Sequence, residues 1–191
     1  MYCYDIDTYI TPEYKKHALN LVNSIRGNWS ITDKEKAPIG LRENNPELYK
    51  PFENIQHLLT NYWKILILGP GESVLPHIDC NGQRQYKEWE DNIIVPAVIN
   101  IPIAGTGHNC TKWMYTDSEI TDPWAFYRGN KPNIEFEEIF NFTITDKPVL
   151  FNTGEWHSID STHNEERIMI SLICSLDYTW EELVQQIISS N

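Results

Sequence analysis

His77, Asp79, His157 and Arg167 are the side chains of this 191-residue chain whose types and spacing could do chemistry together. His77-Ile78-Asp79 ends the stretch Ser73-Val74-Leu75-Pro76-His77-Ile78-Asp79, which reads as a strand. On a strand, residues i and i+2 leave the same face roughly 6–7 Å apart, so an imidazole and a carboxylate can converge on one ion. His157 opens a second short strand eighty positions later, and Arg167 follows it by ten. Two histidines and one carboxylate on one face of an octahedral ion leave positions open. That is the donor set of non-haem Fe(II) oxygen chemistry.

The His-x-acid spacing is weak evidence alone, because six histidines among 27 acidic residues make one such pair by chance about as often as not. A second match, His163-Asn164-Glu165, falls in the polar run 161–166, which reads as a turn where alternate side chains need not share a face. The other members strengthen the first match. His157 lies in Thr153-Gly154-Glu155-Trp156-His157-Ser158, directly after the apolar Val149-Leu150-Phe151. Arg167, one of five arginines, heads the apolar run Ile168-Met169-Ile170-Ser171-Leu172-Ile173-Cys174. A buried guanidinium is costly unless a carboxylate accepts it, preferably in a bidentate fork. A dicarboxylate co-substrate would supply that partner; a salt bridge to Asp160, Glu165 or Glu166 is the alternative.

The pattern His77-x-Asp79, distant His157 and Arg167 ten positions further on resembles the Fe(II)/2-oxoglutarate-dependent oxygenase superfamily. Within it the chain is similar to the aspartyl/asparaginyl β-hydroxylase-like branch, including small phage and bacterial members. Leu75-Pro76-His77-Ile78-Asp79, Ile99-Asn100-Ile101-Pro102-Ile103 and Asn152-Thr153-Gly154-Glu155-Trp156-His157-Ser158 carry that likeness, which covers roughly residues 62–176. The long-chain β-hydroxylases of the branch lack the acidic ligand, whereas Asp79 is present here. The resemblance implies Fe(II) held by His77, Asp79 and His157, with 2-oxoglutarate as co-substrate and its far carboxylate on Arg167. It also implies a double-stranded β-helix, the cupin-like jelly roll. A carboxylate at position 79 leaves no place for a halide there, which favours hydroxylation over halogenation.

Composition bounds the alternatives. The chain is expected to be a single domain spanning 1–191, large enough for a substantial core. Its 41% hydrophobic and 12% aromatic residues describe a folded protein. The formal charge of −12 argues against nucleic acid as a partner, since a phosphate backbone requires a basic face. No apolar run reaches membrane-spanning length and no signal-peptide pattern opens the chain, so a cytoplasmic location and no membrane partner are expected. Oligomeric state is not readable. Cys3, Cys80, Cys110 and Cys174 form no CxxC pair, so neither a zinc ribbon nor a redox dithiol is indicated.

The elements follow from punctuation and periodicity. Thr11-Pro12 predicts a helix start, with an apolar face to about Ile25. Residues 27–53 read as a polar excursion with little regular structure, and a short helix is expected from Asn54 to Asn61. Strands are predicted at 62–68, 73–79, 96–103, 111–116, 123–127 or 135–143, 147–151, 156–160 and 167–174. Short strands at this spacing give a mainly β jelly-roll core over 62–176, below a helical and irregular region over 1–61. Thr179-Trp180-Glu181-Glu182 is a capping-box pattern for a terminal helix over 179–189. Gly105-Thr106-Gly107 lacks the lysine and helix of a phosphate loop and reads as a strand connection.

Further side chains have two readings each. Asn100 could touch the co-substrate or make a structural hydrogen bond, and Trp113 could line the cavity or pack the core. Ser171 shares parity with Arg167 and could donate to the same carboxylate. Arg84, Trp124 and Arg128 are candidates for substrate contact, the last two within a polar, aromatic segment (117–135) that could act as a lid. Two functions remain in play: a dioxygenase hydroxylating an amino-acid or peptide side chain, and a non-catalytic or 2-oxoglutarate-independent metal-binding cupin-like protein.

Overall fold

Strands account for most of the order in the computed structural model, which describes residues 1–26, 39–79, 94–107, 109–118, 134–161 and 164–190. In chain order they are β1 (Cys3–Asp5), β2 (Ile39–Leu41), β3 (Leu59–Leu68), β4 (Val74–His77) and β5 (Ala97–Ala104). Then come β6 (Asn109–Tyr115), β7 (Glu137–Thr143), β8 (Val149–Asn152), β9 (His157–Ser161) and β10 (Arg167–Cys174). Helix α1 (Pro12–Arg26) precedes β2 and α2 (Trp180–Ser190) follows β10.

A six-stranded sheet, β1-β8-β5-β10-β3-β2, faces a four-stranded one, β4-β9-β6-β7, and every pairing is antiparallel. From β3 to β10 the chain changes sheet at each step except the β6–β7 hairpin. Alternation of this kind winds two strands at a time into a double-stranded β-helix. The expected fold class is therefore observed: a mainly β, cupin-like jelly roll with flanking helices.

Strand composition explains the layering. β5 and β10 are central, and nearly all their residues are buried, so they read as continuous apolar runs. On β10, Ile168, Ile170, Leu172 and Cys174 pack outward under the helices, while Met169 and Ile173 join Val98, Trp113, Val149 and Phe151 between the sheets. Each large apolar side chain buried this way contributes roughly 1.5–3 kcal/mol relative to exposure. Helix α1 covers the outer face with Tyr14, Ala18 and Val22, at helical spacing, and α2 adds Trp180, Leu183, Val184 and Ile187. Both starts are capped as expected: Tyr14 N–H donates to Thr11 Oγ1 (3.1 Å), and Thr179 and Glu182 exchange bonds in the capping box. Among the described residues, no helix is long and apolar enough to cross a membrane.

Two expectations need correction, and two further strands are found. The short helix expected over 54–61 is a 3-10 segment, Pro46–Leu58, and Leu59–Asn61 already belong to β3. Pro51 interrupts that segment and Phe52 leaves helical geometry (φ −120°, ψ 25°), because proline removes a donor and fixes its own φ. The described end of the predicted excursion, residues 39–53, is ordered as β2, a 3-10 turn at Arg42–Asn44 and the start of the longer segment. Strands β1 and β2 were not anticipated. Each has three residues and exists by pairing, β1 on β8 and β2 on β3, which local pattern does not reveal. Of the two options for the fifth strand, 135–143 is realised as β7, and 123–127 lies outside the described residues.

Gly105 confirms the strand-connection reading and fixes the approach to β10. Its φ is +61°, and a Cβ there would meet the Glu166 carbonyl oxygen at 2.0 Å. Gly107 has open space around its Cα. Gly105→Ala should therefore lower stability by about 2–3 kcal/mol, while Gly107→Ala should stay well within about 1 kcal/mol of the parent. Urea denaturation of the two variants compares them directly; equal midpoints would remove the close approach from the account.

Candidate metal centre

His77 and His157 face each other across the β4–β9 ladder, where they are direct register partners. Directly opposed residues in an antiparallel pair share a face, so both imidazoles enter the space between the sheets. Trp113 continues the row on β6 as the partner of His157. The two rings lie 4.2 Å apart between centroids. Their tautomers follow from their bonds. His77 Nδ1 lies 2.8 Å from the Leu75 carbonyl and His157 Nδ1 lies 2.9 Å from the Glu155 carbonyl. A carbonyl can only accept, so each Nδ1 carries the proton and each Nε2 keeps its lone pair. This is how ligating histidines are oriented.

Asp79 sits two residues past the end of β4, so strand alternation does not position it. Backbone clamps do: Asp79 N–H donates to the Thr153 carbonyl and Val95 N–H donates to the Asp79 carbonyl, both at 2.9 Å. Thr153 Oγ1 in turn donates to the Val95 carbonyl at 3.0 Å. The β8–β9 connection and the lead into β5 thus hold residue 79 from both sides. One carboxylate oxygen lies 3.7 Å from His77 Nε2. The ligand atoms of His77, Asp79 and His157 all fall within 4.8 Å of one another. Three donors on one face of an octahedral ion, each about 2.1 Å from it, lie about 3 Å apart, so closing this set on a metal takes side-chain movements on the order of 1 Å.

The protonation states of the donors already suit a cation. Burial pulls both histidines below their ordinary value, His157 to about 3, helped there by its neighbour His77. Burial would raise the Asp79 carboxyl, but Lys64 and then the two histidines hold it well below the usual carboxylate range. At neutral pH the three groups are therefore two bare imidazole nitrogens and a carboxylate. No proton has to leave before an ion enters.

Arg167 lies on the same inner face of β10 as Met169 and Ser171, and it is 2% exposed. Its Nη2 approaches Met169 Sδ at 3.2 Å, while Nε and Nη1 are buried with no hydrogen-bond partner among the described residues. Burial lowers its pKa to about 10, with the Cys110 thiol offsetting part of the shift, so it remains charged at neutral pH. The salt-bridge alternative is not realised: Glu166 pairs with Arg26, and Asp160 pairs with Lys112. An uncompensated buried guanidinium costs several kcal/mol. Its bare edge is what a carboxylate would complete, and so the donor set and the cation both fit a metal with a dicarboxylate.

The remaining candidates divide. Ser171 and Asn100 are register partners, and the Ser171 hydroxyl donates to Asn100 Oδ1, so Ser171's proton is committed. Trp113 is fully buried, donates its indole N–H to the Asn152 carbonyl at 2.9 Å and stacks on Phe151. These contacts pack it into the core beside the centre. Arg84, Trp124 and Arg128 lie outside the described residues, as do Cys80, His108, His163 and most of the segment suggested as a lid. One residue escaped the sequence reading. Lys64, on β3, is the register partner of Ser171 and donates from Nζ to Asp79 Oδ2 at 2.7 Å. Its signal was a lysine between Trp63 and Ile65, in a strand whose inner face turns out to be covered.

No protein-family model matches the chain, and no curated protein matches it. Among solved structures it is similar to CytC3, with a TM-score of 0.51 at 10% identity over 91% of this chain and 72% of that one. HygX from Streptomyces hygroscopicus, solved with nickel and 2-oxoglutarate bound, overlaps with a TM-score of 0.45 at 9% identity over 93% and 84%. E. coli ycfD gives 0.42 at 18% identity over 75% of this chain, which spans only 33% of that protein. The likeness to CytC3 extends to the fold alone.

The buried histidines make stability fall in acid. Each has a folded pKa below its unfolded value, so the unfolded chain binds protons first as pH drops. Their penalty is absent above about 6.5 and grows, for His157, until pH reaches about 3. Asp79 acts in the same sense lower down, because its depressed pKa stabilises only above the unfolded carboxylate value. Metal-free protein should lose stability steadily between pH 6.5 and 4, and His157→Gln should flatten that slope in denaturation midpoints measured against pH. A variant slope as steep as the parent's would contradict the assignment.

Proposed function

We propose that this chain is an Fe(II)- and 2-oxoglutarate-dependent dioxygenase that hydroxylates an amino-acid or peptide side chain. The observation that carries the reading is the buried guanidinium of Arg167, without a partner for Nε and Nη1 among the described residues, on the inner face of the six-stranded sheet, while the four-stranded sheet facing it presents His77 and His157 of the donor set. A metal-binding cupin without a dicarboxylate co-substrate has no use for that cation. His77, Asp79 and His157 would hold the iron, and 2-oxoglutarate would span from it to Arg167. When bound, iron and co-substrate supply the oxidising power, and the protein orients and shields them.

The chain's own contributions are then specific. The Leu75 and Glu155 carbonyls fix the tautomers of His77 and His157. The clamps on Asp79 fix its backbone beside the two histidines. Trp113, Phe151 and Met169 wall the space between the sheets with apolar surface and keep water from the reacting side chain. Membership of the aspartyl/asparaginyl β-hydroxylase-like branch, a single oxygenase-like domain over 1–191 and a cytoplasmic location complete the proposal.

Anaerobic titration tests it. Fe(II) and 2-oxoglutarate together should produce the weak visible charge-transfer band of a chelated 2-oxo acid, and air should then yield succinate. Arg167→Met should weaken 2-oxoglutarate binding by at least tenfold, the loss of a charge-assisted bidentate contact, while metal-free stability stays level or rises by about 1–3 kcal/mol. Iron uptake with no band in the parent protein would sink the proposal in favour of a metal-binding cupin.

A further inference from the structure

Lys64 presents a cost that the fold alone does not explain. Its position on β3, level with Ser171 and Asn100, turns its side chain into the space between the sheets, with 17% of the side chain exposed. Drawing an ammonium out of water is unfavourable unless it gains a defined partner. That partner is a single oxygen, Asp79 Oδ2, at 2.7 Å. The other, Oδ1, is the atom at 3.7 Å from His77 Nε2. The two carboxylate oxygens are thereby given different tasks.

We infer that Lys64 is a positioning residue of the metal centre: its ammonium occupies Oδ2 so that Asp79 can offer the ion Oδ1 alone. The inference rests on the metal-centre reading above and adds a residue to it. The consequence is a matter of counting. An octahedral ion has six positions; two imidazoles and a one-oxygen carboxylate leave three. A carboxylate bound through both oxygens would leave two, too few for a chelating 2-oxo acid plus a further reactant. The backbone clamps from Thr153 and Val95 fix where Asp79 begins, but leave its carboxylate free to rotate. Lys64 removes that freedom.

Co(II) is the probe, because its visible d–d bands report coordination without turnover. Lys64→Met keeps length and removes the donor, and Lys64→Arg keeps a charged donor. The parent should bind one Co(II), and its metal-bound carboxylate should show the widely separated infrared stretches of one-oxygen coordination. Lys64→Met should bind Co(II) at least tenfold more weakly, the usual effect of losing a partner behind a ligand, with shifted d–d bands; Lys64→Arg should restore most of both. Parent-like affinity and bands in Lys64→Met, or two-oxygen coordination in the parent itself, would overturn the role while leaving the metal centre standing. A parent chain that takes up no Co(II) would overturn both. The infrared reading needs no variant, so it decides even if Lys64→Met does not fold.

Discussion

The centre depends on the register between β4 and β9. Because side chains alternate strictly along a strand, slipping one strand by one residue would send its histidine to the outer face of the four-stranded sheet. His77 opposite His157 is therefore one of only two classes of pairing, and the fold must enforce it over a ladder that itself contains an irregularity between Val74 and His77. Enforcement comes from β6, which pairs with β9 over five residues and places Trp113 level with His157. Trp113 is in turn locked by Phe151 and by the Asn152 carbonyl. Ordinary core packing thus sets the separation of two imidazole nitrogens.

Around that pair Asp79 is balanced by Lys64 and the histidines are neutral, while Arg167 keeps two nitrogens without a hydrogen-bond partner among the described residues. A folded protein tolerates such a group only where the rest of the structure over-determines it, here through β10, whose eight residues are all buried. The close pass of Gly105 against Glu166 and the Arg167 Cα fixes the backbone at the strand's first residue. Stability is given up at Arg167, and a bound carboxylate would restore part of it.

Much of this was legible in the chain. His77-x-Asp79, His157 and Arg167 could be named as a group because metal donors and buried cations are rare in apolar runs, and the strand punctuation located seven of the jelly-roll strands β3 to β10 and left β7 as one of two alternatives. What stayed hidden has physical reasons. Asp79 was assigned to a strand, yet it is held by backbone bonds to Thr153 and Val95, partners distant in sequence. Lys64 was not singled out, since which face of β3 is covered depends on strands distant in sequence. Strands β1 and β2 are too short to carry a period of their own. Residues 46–53 read as irregular because the run is polar and carries Pro46 and Pro51, whereas the buried Leu48, Tyr49 and Phe52 hold it in 3-10 turns that continue through Ile55 and Leu58.

The central claim is that one ion and one dicarboxylate share the space between these sheets, and crystallography with Mn(II) and 2-oxoglutarate addresses it most directly. The account predicts an anomalous peak within bonding distance, about 2.0–2.2 Å, of His77 Nε2, His157 Nε2 and a single oxygen of Asp79. It also predicts the co-substrate's far carboxylate on Nε and Nη1 of Arg167. A peak away from the three residues, or a dicarboxylate that leaves Arg167 bare, would contradict it.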